Sequence, residues 1–326
     1  MAHPLYVAIL WHMHQPCYQD PVTGIYALPW VRLHGAKDYL RMANVLTEHP
    51  RMHASFNVVP SLAEQVEAYA SGRAEDRLML MARKAHWESE DKEYILDLCF
   101  SANPRRTIRP YRRYAELYDR RRAAPPRPDA FSQQDCRDAL AWFNLVWIDP
   151  AWRKEDTRLQ VLMQKEQGFT PDDIETIHHV QREILARVLP RYQELRDAGQ
   201  IELTVSPYYH PILPLVIDNL ITWQPQTDQV RPAFPLRAPE DAEAQLRLAR
   251  RYYRQTFGSA ARGLWPSEGA VSTEVLILAW QIGFGWVASD EAILGRSLGR
   301  PFERDSRGLV TRPRELYRPY RLLVEG

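Results

Sequence analysis

The sequence predicts an α/β fold with a mainly parallel sheet, open or closed into a barrel, on three observations. Short β-rich runs alternate with longer stretches of helical periodicity. The runs are almost continuously apolar, as in strands buried on both faces, and a chain of 326 residues accommodates one large α/β domain.

The first run, Leu5–Trp11, reads as a core strand that leads into Trp11-His12-Met13-His14-Gln15-Pro16. Further strands are predicted at His53–Val59, Ile201–Ser206, Gly263–Pro266, Phe284–Ser289 and Tyr320–Glu325, each bounded by polar residues or turn formers. Helical periodicity covers Ala36–Glu48, Ser61–Ser71, Ala74–Phe100, Gln133–Trp147, Pro171–Ala198, Pro239–Phe257 and Ser272–Ile282. Two of these helices announce their starts. Thr170-Pro171-Asp172-Asp173 supplies an N-cap, a proline at the first helical position and acids in the first turn, and Ser272-Thr273-Glu274 does similar work. The stretch from about 72 to 198 is mostly helical, charged and broken by Ala123-Ala124-Pro125-Pro126-Arg127-Pro128. It is predicted to be a helical insertion in a single α/β body that occupies 1–326. Because Tyr320–Glu325 looks like a core strand just entering the sheet, the chain is expected to be truncated at Gly326.

The formal net charge of +1 provides no field to draw the protein onto nucleic acid or an anionic membrane, so a neutral substrate fits better. The arginines at 105, 106, 109, 112, 113 and 120–122 have acidic neighbours and read as a solvated surface. Cys17, Cys99 and Cys136 are odd in number and widely spaced, without the pairing of a zinc ribbon or a disulfide framework, which points to a reducing compartment. The N-terminus lacks a basic leader and a small-residue cleavage site, and no run approaches the ~20 apolar residues that span a bilayer. A cytoplasmic location is expected. Nothing in the sequence sets the oligomeric state.

Three segments concentrate chemistry. His12 and His14 lie two residues apart at the end of the first strand, where alternation points both to one face and where parallel α/β folds place their functional rim. They suit hydrogen bonds to sugar hydroxyls, a structural polar network, or a metal pair that takes a third ligand from His34, Asp38, His210 or Asp290. The segment Gly199–Pro211 carries Glu202, Tyr208, Tyr209 and His210, an aromatic and imidazole cluster that suits a glycan cleft; the alternative is a buried Glu paired with an Arg beside two core tyrosines. Gly263-Leu264-Trp265-Pro266-Ser267-Glu268-Gly269 sets a carboxylate at a strand end beside a tryptophan. A retaining glycosidase needs a carboxylate nucleophile there, and a second carboxyl ~5 Å away as acid and then base. Glu268 is the candidate nucleophile, against a role as N-cap or first-turn acid of the helix after Ser272. Asp290 and Glu291 follow the next strand; either is a candidate second carboxylate, against a substrate-orienting hydrogen bond or an N-cap for Ala292 onward.

At these residues the chain resembles glycoside hydrolase family 57, the α-glucan-active enzymes that include amylopullulanases, branching enzymes and 4-α-glucanotransferases. His14-Gln15-Pro16, within a Trp-His-x-His-Gln-Pro form, matches the first family motif. Gly199-Gln200-Ile201-Glu202 matches the second, and Trp265-Pro266-Ser267-Glu268 the third, which holds the nucleophile. Leu28–His34 and Ala36–Tyr39 add a further family-like stretch, which contains Trp30 and His34. The resemblance implies an incomplete seven-stranded (β/α) barrel, TIM-barrel-like, with helical additions. It also implies retention of configuration through a glycosyl-enzyme at Glu268. Substrate contacts are expected at His12, His14, Trp30, His34, Glu202, Tyr209, His210, Trp265 and Asp290, with α-glucan or an oligosaccharide as the partner and no cofactor or metal. The family's acid/base is an Asp in a fourth motif, which has no counterpart in this chain, so little turnover of unactivated α-glucan is expected. Two other functions fit parts of the pattern: a zinc-dependent enzyme resembling family 38 α-mannosidases or polysaccharide deacetylases, with His12 and His14 as ligands, and a non-catalytic glycan-binding module.

Overall fold

The apolar runs pair as parallel strands because each is too short and too apolar to stand alone, and each is followed by a helix that returns the chain to the same edge. In the computed structural model, which describes residues 6–123, 130–222 and 231–323, β1 (Leu10–Met13) pairs in parallel with β2 (Ala54–Val58). Trp11 faces Phe56 and His12 faces Asn57. β3 (Ile201–Thr204) completes a sheet of order β1-β2-β3, and β4 (Gly263–Leu264) pairs in parallel with β5 (Trp286–Val287). A parallel bridge between Val205 and Leu264 continues β3 onto β4. The spatial order of the five strands therefore follows their order in the chain, as singly wound α/β folds require.

Two expected strands differ. The first lies later than Leu5–Trp11: Leu5 is outside the described residues, Tyr6 and Val7 are exposed, and pairing with β2 carries the strand through Met13. Tyr320–Leu323 forms no strand and is exposed, since no neighbouring strand meets it; Val324 and Glu325 lie outside the described residues. The helix expected over Ala74–Phe100 is two, Arg77–Ala82 and Ser89–Cys99, because Asp76 and Glu88 each cap a new start. The expected starts at Thr170 and Ser272 are present: Thr170 and Asp173 form a reciprocal capping box, and Ser272 accepts from the Val275 N–H. Of the proline-rich break at 123–128, residues 124–128 fall outside the described residues.

The chain divides into two compact units. The first comprises Met1–Pro16, Ala54–Ser61 and Glu202–Gly326, and contains β1, β2, β4, β5 and all but the first residue of β3. Its core joins Met13, Phe56, Val58, Leu203, Val205 and Leu264 from the strands to Leu246, Tyr253 and Phe257 of the helix Pro239–Phe257 and to Val275 and Ile282 of Thr273–Ile282.

The second unit, Cys17–His53 and Leu62–Ile201, is helical and contains the 72–198 stretch. A helix that starts at Trp30 runs through a π-helical turn, Gly35–Tyr39, into Leu40–Thr47. The helix Pro171–Asp197 passes so closely that a Cβ on Gly35 would stand 2.9 Å from Leu185 Cγ, which is why only glycine fits. In the interior of this unit, fully buried Arg32 donates to Asp76 at 2.7 and 3.3 Å, to Asn144 at 2.6 Å and to Gln181. The surface arginines are largely neutralised: Arg109 pairs with Asp119, Arg121 with Asp97, and Arg113 with Asp135 and Asp138.

Candidate active site

The C-terminal end of the first unit's sheet gathers the chemistry. His12 lies on β1 and His14 one residue past it, and the loop after β3 brings His210 back onto both. The His14 and His210 rings stack at 4.1 Å between centroids; His12 stands 5.0 Å from His210 and 5.9 Å from His14. Trp265, which follows β4, lies 6.5 Å from His12. Four sequence candidates thus come together from three strand ends.

Three residues not foreseen from sequence hold them. Asn57, buried on β2, accepts from His12 Nδ1 at 2.6 Å and donates to Thr204 Oγ1 at 3.2 Å. Ser206 Oγ lies 2.7 Å from the Trp265 carbonyl and 3.0 Å from Asn57 Oδ1. The bond to the Asn57 oxygen requires the His12 proton on Nδ1 and leaves Nε2 outside that contact. A polar Asn inside the otherwise apolar run Phe56-Asn57-Val58-Val59 was the available signal, because a buried amide needs partners.

Burial, then the neighbouring His12, push the His14 pKa below its ordinary value, with the Glu268 carboxylate opposing them. For His210, burial and then His14 and His12 lower it to about 4. Both rings are therefore neutral at pH 7, able to accept as well as donate hydrogen bonds. In the first unit, four buried side-chain polar atoms among the described residues have no partner: His14 Nε2, His210 Nε2, Ser267 Oγ and Arg250 Nε. Three of the four sit in this cluster or the adjoining turn, as expected of a site that meets a ligand.

Glu268 is in that turn, Ser267–Gly269, directly after Trp265-Pro266. Its backbone is left-handed, φ 53° and ψ 22°, a conformation that costs a non-glycine residue about 1–2 kcal/mol. His210 shares it at φ 60°. Among the described residues only Glu166 joins them, at the end of a helix in the other unit, so two of three such positions belong to this cluster. The helix after Ser272 is capped by Ser272 itself, which leaves the Glu268 carboxylate exposed and without a capping duty.

The other expected residues are placed differently. Tyr209 is exposed beside His210, with its N–H on Gln245. Glu202 lies towards the start of β3, exposed and bonded to Trp286 Nε1 at 3.0 Å, away from the end that holds the imidazoles; the alternative pairing with an Arg is not what forms. Asp290 caps the helix Glu291–Ser297 by accepting from the Ala292 and Ile293 N–H groups at 2.8 and 3.0 Å, and Glu291 pairs with Arg304. Trp30 and His34 belong to the second unit, where both rings pack on Trp147 and His34 Nδ1 meets Asp38 Oδ2 at 2.8 Å. Burial opposes ionisation of Asp38, but the bonds from His34 and Lys37 prevail and hold its carboxyl below the usual range. A concavity of about 290 Å³ among Arg247, Arg250, Arg251 and Arg254 is lined by no carboxylate and offers no nucleophile. No helix of the described residues is long and apolar enough to cross a membrane.

Comparison with known proteins follows the same lines. A search of curated proteins finds no match. Among solved structures, the chain is similar to an alpha-amylase from Thermotoga maritima, at 13% identity and a TM-score of 0.47 over 93% of this chain and 44% of that one. A branching enzyme from Thermococcus kodakaraensis, solved with glucose and additives, aligns at 14% identity and 0.41 over 86% and 39%. A branching enzyme from Pyrococcus horikoshii aligns at 15% and 0.45 over 94% and 45%. The chain thus spans less than half the length of each. The model of glycosyl hydrolase family 57 matches residues 8–325, nearly the whole sequence, and with the three motifs in order at 14–16, 199–202 and 265–268 the chain belongs to glycosyl hydrolase family 57.

Proposed function

We propose that this chain belongs to a retaining glycoside hydrolase or transglycosylase that acts on α-glucan, with Glu268 as the nucleophile. One observation carries the reading: the exposed Glu268 carboxylate stands on a left-handed turn at a strand end and acts electrostatically on an imidazole cluster in which His14 Nε2 and His210 Nε2 lack partners within the chain. In the proposed reaction a Glu268 oxygen attacks the anomeric carbon, and the glycosidic C–O bond breaks as its oxygen takes a proton from an acid. Water or a sugar hydroxyl then attacks the same carbon and releases Glu268. Two inversions give net retention.

His12, His14 and His210 hydrogen-bond sugar hydroxyls, and Trp265 and Tyr209 offer ring faces for stacking. Trp30, His34, Glu202 and Asp290 enter as substrate contacts on the resemblance alone. The strands are those of an incomplete (β/α)7 barrel within a catalytic region 1–326, interrupted by the helical insertion at 72–198. The three free cysteines, two of them buried, support a reducing, cytoplasmic compartment.

Incubation with an activated fluoro-glycoside should label Glu268, and Glu268→Gln should remove both labelling and turnover. Asp290 and Glu291, the carboxylates weighed as a second acid, are committed to a helix cap and to Arg304 respectively. An activated α-glucosyl fluoride, which needs no protonation to leave, should therefore react faster than amylose by the ~10²- to 10⁴-fold that a general acid contributes. Labelling at another carboxylate sinks the assignment, and equal rates on both substrates would redirect attention to Asp290.

A further inference from the structure

We propose that His12, His14 and His210 form a binding site for one divalent transition metal of the zinc or copper class. Each imidazole offers one ring nitrogen, and the three atoms lie within 4.8 Å of one another. A zinc ion bound at about 2.0–2.1 Å holds tetrahedral ligands about 3.3 Å apart, so binding must unstack the His14 and His210 rings and turn their in-plane lone pairs onto one ion.

The donors are free. His14 Nε2 and His210 Nε2 are buried without a partner in the chain, and His210 is only 9% exposed. His12 commits Nδ1 to Asn57, which leaves Nε2 for a ligand. That bond is the outer contact that metal-binding histidines ordinarily make, and Asn57 is itself anchored on Thr204. Two donors come from the end of β1 and one from the turn after β3, so the sheet supports all three. Three neutral nitrogen ligands select zinc, copper or nickel over calcium or magnesium, which take oxygen. A fourth position stays open for water or another ligand.

If the proposed function holds, the nitrogen edges that bind the metal are those that would meet sugar hydroxyls, and metal and α-glucan exclude one another. This second statement rests on the glycosidase reading; metal binding itself does not.

The test is binding by the purified chain, stripped with chelator and equilibrated with Zn²⁺ or Co²⁺. One metal per chain is expected. His14→Ala and His210→Ala should each weaken binding by more than the ~10- to 100-fold that loss of an outer contact costs, and Asn57→Leu by about that amount. His179→Ala, which removes an exposed His–Glu pair able to hold a stray ion, should keep the metal. Because a variant can misfold, the unaltered chain loaded with Cu²⁺ should also show imidazole nitrogen couplings in its electron paramagnetic resonance spectrum. Sub-stoichiometric binding, affinity unchanged by His210→Ala, or a copper spectrum without imidazole nitrogen overturns the site. Labelling of Glu268 in a protein that binds no zinc would remove the metal proposal and keep the glycosidase. Stoichiometric zinc whose affinity maltohexaose does not lower would keep the site and overturn the exclusion.

Discussion

At the scale of single residues, backbone conformation and burial separate residues of the same type. Glu166 and Glu268 share a left-handed backbone, but Glu166 ends the helix Thr157–Lys165, whereas Glu268 stands in a turn among polar atoms that lack partners. The same distinction separates the histidines. His178 is fully buried on the helix Pro171–Asp197, and burial, then the charges of Arg32, Arg83 and Arg182, hold its pKa well below the ordinary value. The folded protein keeps this ring neutral, while the unfolded chain protonates it as pH falls through about 6.5. Folding stability is thus unaffected above that pH and declines below it, by up to about 1.4 kcal/mol per pH unit from this group. Urea unfolding at pH 7, 6 and 5 should show that decline, with a shallower slope for His178→Leu; identical slopes would refute the assignment.

At the scale of elements, the sheet is made of very short strands, so single contacts across it matter. β4 is two residues long, and a Cβ on Gly263 would lie 2.3 Å from the Trp286 ring of β5. The Trp286 ring covers the strand, with its Nε1 held by Glu202. Gly263→Ala therefore forces the pair apart and should destabilise the protein by about 1–3 kcal/mol, the usual range for overpacking. A thermal midpoint equal to that of the unaltered chain would show that the ring moves freely. Since Trp265 and Glu268 follow β4 directly, a displaced strand should also slow labelling of Glu268.

At the scale of the whole molecule, the two units rest on different physics. The first has an apolar core of strands and two helices, with its polar groups at one edge. The second contains a buried charge, Arg32, satisfied by Asp76, Asn144 and Gln181 from sequence-distant helical segments. Such a network adds little over an apolar filling of equal volume, but removing one partner leaves a charge without compensation. Arg32→Met should therefore cost about 3–5 kcal/mol, whereas Arg109→Met, which breaks an exposed pair with Asp119, should cost under about 1 kcal/mol. Equal losses, measured by chemical denaturation, would argue against a structural role for the network.

Much of this protein was legible in the chain alone. Periodicity placed helices such as Gln133–Val146, Pro171–Asp197 and Pro239–Phe257, and local capping chemistry marked Thr170 and Ser272, because those signals act over a few residues. The ordered motifs identified the family and singled out His12, His14, Trp265 and Glu268. What lay beyond the sequence was set by distant partners. The strand begins at Leu10 because β2 pairs there, and 320–323, exposed in the described residues, form no strand. Capping at Asp76 splits a continuous pattern in two, and β5 gives the exposed Glu202 the Trp286 Nε1–H rather than an arginine. The imidazole cluster shows the division most clearly: sequence supplied two histidines two residues apart and His210 among several candidates for a third, and only the fold, by turning the chain at His210, brought it to them with the Asn57 that orients the first.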